Sequence, residues 1–197
     1  MGEQKHLKRV REYIKKSPVV TASSIKRIIK EKKDVKEYSK QLIRNLVRKG
    51  ELKKLARGCY TKHEDPSLAV LCYKTAYLGL QDALSFHNLW EQETIPVIIT
   101  ATKPRPGLRE VNGMNIMIKR IKKEYFFGYN YYEQESFYLP YSDIEKTLID
   151  MIYFKQNISR QVKENLTKKI NKKKLESYLQ KYPEGLRKKV KRLINTD

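Results

Sequence analysis

Apolar side chains recur at the three- and four-residue spacing of an amphipathic helix in residues 3–16, 21–30 and 35–49. The stripes are Leu7, Val10, Tyr13 and Ile14, then Ile25, Ile28 and Ile29, then Val35, Tyr38 or Ser39, Leu42, Ile43, Leu46 and Val47. Pro18 disfavours continuation of the first helix. The pattern therefore predicts three short helices joined by tight connections.

Residues at the ends of these helices support the same prediction. Thr21 or Ser23 can cap the second helix, and Gly50 is a natural stop for the third. The strand-like pieces "ELKKL" and "CYTK" follow, separated by "ARG", in which Gly58 can supply the positive φ of a tight hairpin. Three helices followed by a basic hairpin is the order of a winged helix-turn-helix, which we predict for residues 1–63.

The pattern changes to a mixture of helices and strands after residue 63. It predicts two short helices in residues 66–89, strands in "PVIITATKPRPG" and "MNIMIKRI", a hairpin in "YFFGYNYYEQESFYLPY" and a helix in "SDIEKTLIDMIYF". Ser142 or Asp143 can cap that helix. We therefore predict an α+β chain, in which residues 64–154 form a mixed α/β domain with a small sheet and residues 155–197 form a basic helical extension packed on it.

Charge is distributed unevenly along the chain, whose formal net charge is +21. Residues 1–63 hold 20 Lys and Arg against 6 Asp and Glu, residues 64–154 hold 9 against 12, and residues 155–197 hold 14 against 4. Segregated positive charge indicates a surface that faces phosphates. The first domain is therefore predicted to bind nucleic acid. The tail allows two interpretations: its lysines stay in water while its apolar side chains pack on the second domain, or it is a second phosphate contact.

Other classes of protein lack support in the composition. No apolar run approaches the ~20 residues of a membrane span, and the first residues do not resemble a signal peptide, so we expect a cytoplasmic protein without membrane contact. Cys59 and Cys72 are the only cysteines and occur with three histidines, a set without the spacing of a zinc site or a disulfide framework. We expect reduced thiols, no metal and no cofactor.

The polar face of the third helix allows two interpretations. Its basic residues can be the solvated side of an ordinary helix, or the face of a recognition helix in the major groove of DNA. In the second case the hairpin and the start of the preceding helix would hold phosphates. The candidate DNA-binding residues are Lys36, Ser39, Lys40, Gln41, Arg44 and Arg48 on the helix, Lys53, Lys54 and Arg57 on the hairpin, and Ser23 and Ser24.

Four motifs follow one another within residues 5–155: "ARGCY", "AYLGLQDALSFHNLWEQ", "VIITAT" and "LPYSDIEKTLIDMIYF". In this order they resemble the AbiEi-type antitoxins of type IV toxin-antitoxin systems. The resemblance implies a winged-helix domain that represses its own operon by binding inverted repeats in its promoter. It also implies a second domain that opposes a nucleotidyltransferase-like toxin without forming a stable complex with it.

The second domain holds polar residues that could carry chemistry: His87, Lys103, Arg105, Glu145, Lys146 and Asp150. They could supply acid-base groups and a phosphate-binding loop. The alternative is structural, with Glu145 and Lys146 exposed at a helix start, His87 hydrogen-bonded at a helix end, and Asp150 tying a loop to the sheet. We favour the structural roles, and a protein that is not an enzyme, because the sequence has no nucleophile motif, phosphate-binding glycine loop or metal-ligand spacing.

The sequence therefore predicts a DNA-binding transcriptional repressor with an antitoxin-like second domain. One alternative is a winged-helix regulator whose second domain senses a small ligand. A less favoured alternative is a nucleic-acid-processing enzyme that uses Glu145 and Asp150.

Overall fold

The computed structural model describes residues 2–30, 34–102, 104–134 and 137–195. Two compact units are present. The first comprises the described residues up to Cys72 together with Glu110–Asn115, and the second comprises Tyr73–Arg109 and those from Ile116 onward.

The first unit begins with helices and continues with short strands. The elements are α1 (Gly2–Lys16), β1 (Val20–Thr21), α2 (Ala22–Ile28), α3 (Val35–Arg48), β2 (Lys53–Ala56), β3 (Cys59–Thr61) and a 3-10 helix (Pro66–Cys72). The predicted helices and the hairpin are confirmed, whereas β1 was not predicted. The apolar stripes meet in one core, whose buried members are Val10, Ile14, Val20, Ile25, Ile29, Leu42, Ile43, Leu46 and Leu52.

Local chemistry accounts for the boundaries in this unit. Thr21 caps α2, its side chain accepting a hydrogen bond from the Ser24 backbone while the Ser24 side chain accepts one from the Thr21 backbone. The hairpin turns at Gly58, which has φ of +74°. β3 lies between β1 and β2 and pairs with both in antiparallel fashion.

The two cysteines correct one expectation. Cys59 in β3 and Cys72 at the end of the 3-10 helix form a disulfide, with 5.9 Å between their Cα atoms. The expectation of reduced thiols was therefore wrong. It rested on cysteine number and spacing, which do not show that the end of the 3-10 helix returns to β3.

The remaining elements are β4 (Ala76–Leu78), α4 (Gln81–Phe86), β5 (Val97–Thr100), β6 (Gly107–Val111), β7 (Met114–Arg120), a 3-10 helix (Lys123–Tyr125), β8 (Tyr129–Gln134), β9 (Phe137–Ser142), α5 (Ile144–Tyr153), α6 (Arg160–Lys169), α7 (Lys172–Leu179) and α8 (Glu184–Asn195). The predicted pair of helices in 66–89 is wrong in part. That segment contains a 3-10 helix, then β4, and only one α-helix, because the run around Tyr77 pairs as a buried strand.

The sheet has six strands in the order β6-β7-β5-β4-β9-β8. β4 is antiparallel to β5 and parallel to β9, while β5 is parallel to β7, so the sheet is mixed. The α+β class is thus confirmed. α4 lies between the antiparallel strands β4 and β5, and α5 follows β9.

α5 lies at the centre of the core of the second unit. Leu148, Ile149 and Met151 are fully buried in one apolar cluster with the sheet residues Tyr77 and Ile99. The last three helices add their apolar side chains to this cluster: Val162, Leu166, Leu175, Leu179 and Val190. Among the residues that the structure describes, no helix is both long and apolar enough to cross a bilayer.

Candidate functional site

The exposed face of α3 is the first candidate surface. The apolar side of this helix is buried through Leu42, Ile43 and Leu46. The opposite side exposes cationic residues at four-residue intervals, which places them along one face with a slow drift around the axis. These cations are Lys36, Lys40, Arg44 and Arg48.

Partners on this face are weak and solvent-exposed. Lys40 Nζ donates a hydrogen bond of 2.7 Å to Glu37 Oε1, and this bond lowers the pKa of Glu37. Gln41 Nε2 donates to Asn45 Oδ1 at 3.3 Å. An exposed ion pair of this kind contributes little to folding, so Lys40 can exchange its carboxylate for a phosphate or a base.

The hairpin supplies two further cations. Lys54 in β2 and Arg57 in the turn are exposed. Lys53 differs, because it forms an ion pair with Glu64 and its side chain is only 27% exposed. Of the three hairpin candidates, Lys54 and Arg57 are therefore the ones available to a polyanion.

The predicted serines have mixed positions. Ser23 is exposed, and its hydroxyl lies 3.1 Å from that of Thr21. Ser24 is buried, and its side chain is engaged in capping α2. Ser39 is also buried and donates to the Lys36 carbonyl at 2.9 Å. The prediction that Ser24 and Ser39 bind DNA is therefore not supported by their placement, since their hydroxyls are buried and bonded within the unit.

The second group of predicted residues lies at the start of α5, and its exposure was predicted wrongly. Glu145 and Lys146 were expected in solvent, yet they are 4% and 0% exposed. Asp150, one turn further along, is 0% exposed. The helix is covered on all sides by the sheet and by the C-terminal helices, so even its polar positions are inside.

Lys146 and Asp150 form a buried ion pair. Asp150 Oδ2 also accepts a hydrogen bond of 2.7 Å from the Tyr77 hydroxyl, and Lys146 Nζ donates one of 3.1 Å to the Tyr182 hydroxyl. The ammonium lies 5.4 Å from the centre of the Phe127 ring and 5.5 Å from that of Tyr77. Aromatic faces and hydroxyls thus replace the water that both charged groups lack.

Burial dominates the proton affinities of this pair. It lowers the pKa of the Lys146 ammonium and raises the pKa of the Asp150 carboxyl, and the attraction between the two groups offsets each shift only in part. Burial also raises the pKa of Tyr77 well above its usual value, with a further contribution from Asp150. Tyr77 is therefore held as a neutral donor to the carboxylate.

A second cluster of polar side chains lies at the N-terminal end of α5. Asp143 caps α5 by accepting from the Lys146 backbone N–H at 2.8 Å, and its other oxygen accepts from the Tyr178 hydroxyl at 2.8 Å. Lys174 Nζ lies 3.0 Å from Asp143 and 3.1 Å from Glu145. These contacts join α5 to α7, which explains why two acidic residues can be buried at the first turn.

Gly128 permits the close approach of the loop before β8. It has φ of +72°, and its carbonyl accepts from the Asp143 backbone N–H at 2.9 Å. A Cβ at this position would lie 2.9 Å from Lys146 Cβ and 3.0 Å from Tyr178 Cε2. A larger residue would therefore meet both a conformational and a steric obstacle.

The other antitoxin-domain candidates lie apart or outside the described residues. His87 ends α4, and its Nε2 is 2.7 Å from the Ser142 carbonyl oxygen, as the structural interpretation expected. Arg105 is exposed, and its carbonyl accepts from the Arg109 guanidinium. Lys103 lies outside the described residues.

The cluster is suited to holding the second unit together. Lys146 and Asp150 have no exposed surface through which a substrate could reach them. Tyr77, Tyr182, Lys174 and Gly128 complete the cluster and were not singled out from the sequence. Only the i, i+4 spacing of Lys146 and Asp150 could have indicated a pair. Within the described ranges, no group of three or more His, Cys, Asp or Glu side chains is placed to hold a metal ion.

Comparisons with known proteins add a fold relationship. No protein-family model matches the chain, and no curated protein matches it. Among solved structures, the fold is similar to the crystal structure of the RV2827C protein from Mycobacterium tuberculosis, with a TM-score of 0.65 and 14% sequence identity. The similarity covers 97% of this chain and 76% of that one. At this level of identity the likeness concerns the fold alone.

Proposed function

We propose that this chain is a DNA-binding transcriptional repressor whose first unit works as a winged helix-turn-helix, with α3 as the recognition helix. The observation that carries the proposal is the arrangement of α3. Its apolar side is buried in the unit core, while Lys36, Lys40, Arg44 and Arg48 line its exposed side. A rigid helix that presents cations and an amide along one face meets the requirements for insertion into the major groove.

The proposed contacts divide into two kinds. Lys40, Gln41 and Arg44 would reach base edges, since arginine and lysine pair with guanine and glutamine pairs with adenine. Lys54 and Arg57 on the hairpin, with Ser23, would hold phosphates and fix the register. Repression then needs only occupancy of the promoter by a protein of sufficient affinity.

The proposed target is double-stranded DNA of the protein's own promoter, with inverted repeats. The accompanying antitoxin role, directed against a nucleotidyltransferase-like toxin without a stable complex, rests on the resemblance in the motifs around residues 76–92 and 139–154. Its test is co-expression. A neighbouring gene for such a toxin should arrest growth alone, and this chain should relieve the arrest, whereas no relief would leave only the repressor.

Fluorescence anisotropy tests DNA binding directly. The labelled duplexes are the protein's own upstream DNA and a shuffled duplex of equal length, titrated over a range of salt concentrations. We expect a preference of about 10³-fold or more for the upstream DNA at near-physiological salt. The double change Lys40→Ala, Arg44→Ala should abolish that preference.

A charge-matched variant separates base recognition from simple attraction. Lys8→Ala, Lys15→Ala removes the same charge from exposed positions of α1 and should keep the preference. Equal binding of both duplexes by the wild type, with affinity collapsing in salt, would mean that the basic face is a nonspecific phosphate surface and would end the repressor proposal.

A further inference from the structure

A cavity of about 380 Å³ lies in the second unit, against one face of the sheet. Its walls come from the start of α4, the segment before β5, and the strands β5 and β7. The volume falls in the range of small-molecule sites, which begins at about 300 Å³.

Strand register builds the floor of this cavity. β5 and β7 are parallel, with Val97 opposite Met117 and Ile99 opposite Lys119. Residues two apart on a strand point to the same face, so Met117 and Lys119 project together into the cavity that they line. The floor is therefore apolar at one end and cationic at the other.

The walls are mostly apolar, and one of them is an aromatic ring. Trp90 lines the cavity together with Leu80 and Ile95. Ile95 is 39% exposed. An apolar ligand body would bury Ile95 against the Trp90 ring.

Backbone strain occurs at the edge of the same cavity. Leu80 has φ of +57° and ψ of −133°, a region that L residues rarely adopt, and it forms the N-cap of α4. Strained backbone of this kind is concentrated at ligand clamps and active sites. Here it holds the Leu80 side chain, which is 1% exposed, at the cavity wall.

Charge identifies the polar end of the ligand. Lys119 is partly buried, and among the described residues it forms no ion pair. Gln81 and Gln156 also line the cavity, and Gln81 Nε2 donates to Gln156 Oε1 at 3.1 Å, so the Gln81 carbonyl oxygen can still accept from a polar group. Glu93 also lines the cavity, but it is exposed and can remain in water.

We propose that this cavity is a binding site for a small molecule with one apolar body, such as a phenyl ring, and one carboxylate. The apolar body lies against Trp90, Ile95 and Met117, and the carboxylate pairs with Lys119. The site is independent of the α3 surface and would exist whether or not the chain represses transcription.

Trp90 makes the test direct, because it is the only tryptophan of the chain. The full-length protein is titrated with benzoate, 4-phenylbutyrate and hexanoate while the tryptophan emission is recorded. Calorimetry repeats the titrations without relying on fluorescence. We expect saturable binding of at least one carboxylate, and at least ~10-fold weaker binding of its amide and its amine analogue.

Two variants on the same strand locate the charge. Lys119→Met should weaken binding of the carboxylate by ~10-fold or more and leave binding of the amide unchanged. Arg120→Met removes the same charge from an exposed neighbouring position. It should change neither the affinity for the carboxylate nor the affinity for the amide. Circular dichroism of both variants checks that they fold.

Three results would overturn the proposal. In the first, none of the three carboxylates binds saturably in calorimetry. In the second, the carboxylate, its amide and its amine analogue bind with equal affinity, and in the third, Lys119→Met and Arg120→Met weaken carboxylate binding equally. None of these results depends on the DNA titrations, so the two proposals can fail separately.

Discussion

α3 and α5 carry charged residues at the same spacing, but in opposite environments. On α3, Lys36, Lys40 and Arg44 follow one another at four-residue intervals and are exposed. On α5, Lys146 and Asp150 are also four residues apart, and both are completely buried. Spacing alone shows that two residues share a helix face, and the surrounding elements determine whether that face meets water.

The surroundings of the two helices explain the difference. α3 packs one side against the first unit's core and leaves the other to solvent. α5 is followed by α6, α7 and α8, whose apolar side chains join the same cluster. A buried charge needs a counter-charge and hydrogen bonds to replace water. Lys146 and Asp150 neutralise each other, and the hydroxyls of Tyr182 and Tyr77 complete their hydrogen bonding.

The largest effect is expected from Asp150→Asn, which leaves Lys146 buried without its counter-charge. The change should lower the free energy of unfolding of the second unit by about 3–5 kcal/mol, because an unpaired buried ion is strongly destabilising. Urea unfolding at pH 7 measures it. Lys146→Met combined with Asp150→Asn should recover most of the loss, since neither of these two buried positions then carries a charge. A double variant as unstable as the single one would show that the ion pair is not the cause.

Reduction of Cys59–Cys72 should come next in size. The bond closes a segment with a sequence separation of 13, and releasing it should lower the free energy of unfolding of the first unit by about 3 kcal/mol. Unfolding curves with and without dithiothreitol measure the difference. Cys72→Ala should respond identically with and without the reductant.

Alkaline pH should lower the free energy of unfolding of the second unit, because the Tyr178 hydroxyl loses its proton. Burial, followed by the hydrogen bond to Asp143, raises the pKa of Tyr178 from 10.0 to about 12. Because the folded-state pKa is raised, the stabilisation is complete below pH 10 and is lost as the pH rises towards 12. Urea midpoints at a series of pH values above 9 should fall less steeply for Tyr178→Phe. Equal slopes would remove Tyr178 from the explanation.

Lys174 acts in the same direction. Burial lowers the pKa of its ammonium, but hydrogen bonds and attraction to Asp143 and Glu145 outweigh burial and raise it overall. The alkaline loss that remains in Tyr178→Phe should therefore include a contribution from Lys174.

The smallest effect on stability is expected at the exposed basic residues. Lys54→Ala, Arg57→Ala should leave the urea midpoint of the first unit unchanged. The same change should weaken binding to upstream and shuffled DNA alike, and should reduce the slope of log K against log salt by about 2, one for each phosphate contact. A selective loss for the upstream DNA would instead assign these residues to base recognition.

The sequence predicted those features that depend on near neighbours. The bounds of α1 and α3 follow from the spacing of apolar residues. Capping chemistry left Thr21 or Ser23 for α2 and Ser142 or Asp143 for α5, and the structure shows Thr21 and Asp143. The burial of Lys146 could not be predicted in this way. Its partners include Tyr182, 36 residues away, and the Asp150 carboxylate is held by Tyr77, 73 residues away.

The candidate DNA surface was predicted in part, and β4 was not predicted. Lys40 and Arg44 are exposed as predicted, because an amphipathic stripe identifies the opposite face. Ser39 could be placed on either side of that stripe, and packing put it inside. The Ala76–Leu78 segment was too short for periodicity to show that it pairs with both β5 and β9.

The bond between Cys59 and Cys72 also changes what a protease can release. A single cut in the intervening chain would break the backbone after the hairpin, yet the two fragments would remain covalently joined. The cut protein would migrate as one species on a non-reducing gel and as two on a reducing gel.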